Sequence, residues 1–86
     1  MPTISYFYGI AIIMHVRGKE HEPPHIHAIT PDFEAAFSID SAEIIRGKDV
    51  FPVKAAKLVK EFVIKNQNAL MEMWTTGEYR KLPPIN

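Results

Sequence analysis

The chain has 86 residues, 47% of them hydrophobic, and its ten Lys/Arg balance ten Asp/Glu. That length supports one small core and leaves no room for a second, so residues 1–86 are expected to form a single domain. The absence of cysteine excludes a disulfide framework and a thiolate metal site, and zero net charge argues against a broad basic footprint for nucleic acid.

The two halves differ in sign. Residues 1–43 carry two basic side chains against six acids, whereas residues 44–86 carry eight against four, so the halves have net charges of −4 and +4. Ile10 to Met14, the longest apolar run near the start, lacks the length of a signal-peptide core and a basic region before it. Nothing approaches a membrane span. A cytoplasmic protein without membrane contact is expected.

Tyr6 to Tyr8 lead through Gly9 into Ile10–Met14, a β-branched and aromatic stretch in which the glycine marks a bend or bulge. After a polar turn at Arg17–Glu20 come His25–Thr30 and Phe33–Asp40, separated by Pro31-Asp32, and then a shorter run, Glu43–Arg46, before Gly47. These segments predict an antiparallel meander of about four strands. Setting Thr30 opposite Phe33 pairs Ala28 with Ala35 and Ile26 with Phe37 on one apolar face. Proline cannot adopt the positive φ of a type I′ turn, so a wider loop is expected, and symmetric widening leaves this parity unchanged. The other face then carries His25, His27, Glu34, Ala36 and Ser38, and His25 and His27 are expected to be accessible there unless a partner covers them.

The second half reads as helix. Ala55, Leu58, Val59, Phe62, Ala69, Leu70 and Met73 fall in one stripe at 100° per residue, with Lys54, Lys57, Lys60 and Glu61 opposite. Neither Gly nor Pro interrupts Val53–Thr76, so one helix of about 36 Å is expected, with any kink at Asn66-Gln67-Asn68. Pro52 and Gly77 punctuate its ends, and the tail from Tyr79 to Asn86 is read as extended against the sheet. Sheet and helix can each bury an apolar face only against the other, giving an α+β fold.

Three of the four histidines fall in Glu20-His21-Glu22-Pro23-Pro24-His25-Ile26-His27-Ala28, where the prolines stiffen the backbone. One reading of this cluster is a metal site, with His21, His25, His27 and Glu34 offering three nitrogens and an oxygen to zinc, iron or manganese. A second is metal-independent acid/base catalysis on RNA by His21, His25 and His27, because imidazole titrates near neutrality; Arg17, Lys19, Arg80 and Lys81 are candidates for stabilising the phosphorane. A third is structural, with the histidines as half-exposed polar faces satisfied by Glu20, Glu22, Ser38 or water. His15 and Trp74 read as structural residues, and Met71, Met73 and Trp74 as core or homodimer contacts.

The opening Met-Pro-Thr-Ile, Tyr8-Gly9-Ile10, the His-x-Pro-Pro-His-x-His segment, Glu43-Ile44-Ile45-x-Gly47 and the closing Lys81-Leu82-Pro83-Pro84 resemble the small prokaryotic family known as domain of unknown function 4160. The resemblance runs over essentially the whole chain. It implies a compact α+β domain and a neighbouring small gene in a toxin–antitoxin-like arrangement, which points to a small cognate partner protein and raises the reading of action on RNA, for which no cofactor is expected. A histidine metal-binding module and a non-catalytic interaction domain are the alternatives. Phe62 stands where the family commonly has tryptophan, a substitution that conserves packing.

Overall fold

The computed structural model of the chain describes residues 3–14, 23–47 and 50–85. Five strands lie side by side in chain order as one antiparallel sheet: β1 (Thr3–Phe7), β2 (Ile10–Ile13), β3 (His25–Ile29), β4 (Glu34–Ser38) and β5 (Ile44–Arg46). Two helices follow, α1 (Val53–Lys65) and α2 (Gln67–Thr76). Among the described residues, no helix is long and apolar enough to cross a membrane.

The strand count is corrected from four to five by Tyr8 and Gly9. Both take positive φ, 50° and 77°, as a two-residue hairpin turn requires, so the segment expected to run straight through a glycine bend folds back on itself, with Phe7 opposite Ile10. The central register agrees with parity. Ile26 faces Phe37 and Ala28 faces Ala35, and all four are buried in the core. Around Pro31-Asp32 the Thr30 N–H donates to the Phe33 carbonyl (2.8 Å), while the Phe33 N–H donates to the Thr30 hydroxyl (2.9 Å). A side chain thus takes a bond that a tight primed turn would give to backbone.

The expected single helix is broken at Asn66, which leaves helical geometry (φ −117°, ψ 23°). Its side-chain amide donates to the Phe62 carbonyl (2.9 Å) and its backbone N–H is shared between Phe62 and Val63, the local competition by which asparagine ends helices. The apolar stripe nevertheless stays in phase across the break, as expected. Val59, Phe62 and Val63 of α1 and Leu70, Met73 and Trp74 of α2 are buried, whereas Ala55, Leu58 and Ala69 are only half-buried. Together with Ile4, Phe7, Ile10, Ile12 and Met14 of the first hairpin they form the core, in which the Phe62 ring lies 5.2 Å from that of Phe7.

Helix α2 is tied to the end of the sheet where β4 finishes and β3 begins. The Gln67 side-chain amide donates to the carbonyls of Ile39 (3.0 Å) and Asp40 (2.8 Å), and the Trp74 ring reaches that of His25. Gly77 then caps α2 at φ 76°, and the tail returns along β1 as expected, with the Leu82 N–H donating to the Ile4 carbonyl (2.8 Å) and Ile85 buried.

Candidate functional site

Strand β3 is the middle strand of the sheet, and alternation sends His25 and His27 to the face opposite Ile26 and Ala28. The expectation that these rings would be accessible is corrected: His25 is 3% and His27 8% exposed. His25 is paired with Ser38 and lies 5.3 Å from the Trp74 ring, while His27 is flanked by Ile13 on β2 and Ala36 on β4. The two imidazoles meet edge to face at 5.1 Å.

Each ring is held at the same nitrogen. His25 Nδ1 lies 2.7 Å from the Pro23 carbonyl oxygen, and His27 Nδ1 lies 3.2 Å from Glu34 Oε2. A carbonyl oxygen only accepts, so the bond to Pro23 places a proton on Nδ1 of His25, and Glu34 sets a carboxylate beside the same nitrogen of His27. The Pro-Pro pair supplies this order at one end: the Pro23 carbonyl orients His25, and the Pro24 carbonyl accepts from the Ile39 N–H (3.0 Å) at the end of β4. Pro23 and Glu34 are thus oxygen partners of the two rings, and of the groups expected from sequence to satisfy them, Glu20 and Glu22 lie outside the described residues.

A cross-strand row runs Ile13, His27, Ala36, Arg46. Only Ala36 separates His27 from Arg46, and two strand spacings amount to about 9.6 Å between their backbones. The small alanine leaves an open hollow of about 370 Å³ lined by His27, Glu34, Ala35, Ala36, Arg46 and Gly47. Gly47 is required there. It has φ +85°, and a Cβ on it would come within 2.6 Å of the Glu34 carbonyl oxygen, so only glycine lets the end of β5 close onto β4. A guanidinium at the rim gives the hollow a planar donor for carboxylate or phosphate.

Arg46 is the functional candidate that sequence reasoning missed. The available signal was the short run Glu43–Arg46: once β5 is placed beside β4, its register brings Arg46 level with His27. Among the cationic candidates chosen instead, Arg80 is exposed and pairs with Glu72 (3.3 Å), and Lys81 is exposed. Arg17, Lys19, His15, His21, Glu20 and Glu22 lie outside the described residues. The proposed metal set is consequently represented here by His25, His27 and Glu34. Among the described residues, no group of three His, Cys, Asp or Glu is placed to hold a metal ion.

No curated protein and no solved structure matches the chain. A family model does: that of Domain of unknown function (DUF4160) matches residues 9–75, a span that takes in β2 to β5, the Pro-Pro segment, α1 and nearly all of α2. Since the match covers well over half of its length, the chain belongs to the DUF4160 family.

Proposed function

We propose that the chain acts on RNA by acid/base transesterification at the His27 hollow, as one component of a two-gene, toxin–antitoxin-like module with a small cognate protein as its partner. The observation that carries this reading is the Glu34–His27 contact of 3.2 Å, beside Arg46 in the same hollow. A carboxylate at Nδ1 orients the imidazole so that Nε2 is the basic nitrogen. In the proposed step Nε2 of His27 takes the proton of a ribose 2′-hydroxyl, and that oxygen attacks the adjacent phosphorus. The bond to the 5′ oxygen breaks, leaving a 2′,3′-cyclic phosphate and a 5′-hydroxyl. Arg46 stabilises the added negative charge on the phosphoryl oxygens, and the leaving oxygen takes its proton from an imidazolium, for which His21 and His25 are the candidates.

Expression of the chain without its neighbour tests this in cells. Wild-type protein is expected to slow growth, and His27→Ala or Arg46→Ala to relieve the effect while circular dichroism stays unchanged. A harmless wild-type chain would remove the toxin reading and favour a binding module.

One observation also favours the metal reading. Both imidazoles are held at Nδ1 by oxygen acceptors, the outer-shell arrangement that presents Nε2 to a metal ion, with His21 as a further ligand candidate. Elemental analysis separates the two: near-stoichiometric zinc, iron or manganese that is lost in the His25→Ala/His27→Ala variant would make the site a metal centre.

A further inference from the structure

On the helix-covered side of the sheet, away from the His27 hollow, a groove of about 250 Å³ runs between β5 and α1. Phe37, Ala42, Ile44, Phe51 and Ala56 give it an apolar lining, and Val53 at its mouth is 72% exposed. This volume is below the 300–1,000 Å³ usual for a cofactor or drug-sized ligand, and suits one or two side chains better. Its helical rim is basic. Helix α1 carries Lys54, Lys57, Lys60 and Lys65 against Glu61 alone, and Lys57 and Lys60 line the groove. Lys60 bridges to Glu43 at 2.9 Å, while among the described residues no carboxylate lies within ion-pair distance of Lys54, Lys57 or Lys65.

The groove also borders the edge of the sheet. Strand β5 ends the strand order, and among the described residues nothing pairs with its outer side. An extended peptide added there would drop every second side chain onto the face of Ile44, where the groove lies. We propose that this groove docks an extended acidic segment of a partner protein, with one aliphatic side chain in the apolar floor and acidic residues two positions before and after it meeting the lysine rim. A second copy of the chain fits poorly, because a two-fold contact here would set lysine rim against lysine rim.

The full-length chain, labelled with ¹⁵N and titrated with acetyl-Thr-Glu-Thr-Leu-Thr-Glu-Thr-amide, tests this. Amide shifts are expected at Ile44, Ile45, Phe51, Ala56 and Lys57. Replacing the peptide leucine by serine should weaken binding about tenfold or more, the equivalent of burying one leucine side chain. Lys57→Glu, a change on the exposed face of α1, should weaken it about fivefold at low salt and leave the remaining spectrum in place. Peptide binding that ignores both changes, or shifts centred on other residues, would overturn the proposal. So would an adaptation of these amides to anionic vesicles of phosphatidylserine and phosphatidylcholine in place of the peptide, which would make the face a membrane contact. A dimer that buries Val53 and Lys57 would overturn it as well.

Discussion

Substituting Gly47 isolates the contact that closes β5 onto β4. Gly47 and Gly77 have nearly the same backbone, at φ +85° and +76°, but differ in surroundings: a Cβ on Gly77 meets nothing within 4 Å, whereas on Gly47 it would lie 2.6 Å from the Glu34 carbonyl oxygen and 3.1 Å from Ala35 Cα. Gly77→Ala therefore carries only the left-handed backbone penalty, about 1–2 kcal/mol. Gly47→Ala adds the displacement of one strand from its neighbour, about 1–3 kcal/mol on the scale of overpacked cores, for a total of about 2–5 kcal/mol. A domain of this length holds about 4–13 kcal/mol in all, so the Gly47 variant should be visibly weakened. Urea unfolding followed by circular dichroism measures both, provided the transition slopes agree. The backbone of Glu34 and Ala35 has nowhere soft to move, because both belong to β4 between two paired strands. Equal destabilisation of the two variants would refute the close approach, and with it the placement of Arg46 beside the hollow.

Two further outcomes are expected. Phe62, fully buried against Phe7, should cost about 3–5 kcal/mol when replaced by alanine, whereas exposed Lys57→Ala should stay within about 0.5 kcal/mol, as thermal melts will show. Glu34→Ala should release the Nδ1 proton of His27, so ring ¹⁵N shifts will move from the Nδ1–H form toward a mixture of tautomers and activity will fall about 10- to 100-fold, with Glu34→Gln retaining more of both because its carbonyl still accepts.

Much of the sheet was readable because strand parity is a local property. Once Thr30 and Phe33 flank a turn, the pairings Ala28 with Ala35 and Ile26 with Phe37 follow, and the faces of His25 and His27 follow with them. The hairpin at Tyr8-Gly9 was hidden because tyrosine at φ 50° is not a usual turn residue, and apolar residues continue on both sides of it. The sequence placed any kink at Asn66-Gln67-Asn68, where the break lies, but that Asn66 leaves helical geometry and bonds its side chain to Phe62 is a matter of geometry that periodicity does not encode. The contact of His25 with Trp74 depended on where α2 comes to lie, which the break at Asn66 and the grip of Gln67 on Ile39 and Asp40 decide, and no pattern within residues 20–28 carries that information. Arg46 was missed for the converse reason: its relation to His27 passes through a third strand, across Ala36.

The most direct measurement is cleavage of a short single-stranded RNA by the purified chain in the presence of a chelator, with the ends identified by mass spectrometry. The account predicts 2′,3′-cyclic phosphate and 5′-hydroxyl ends, no cleavage of 2′-O-methyl RNA, and a loss of about 10²- to 10⁴-fold in His27→Ala. RNA left intact under every condition, or cut only when a divalent metal is added, would contradict it.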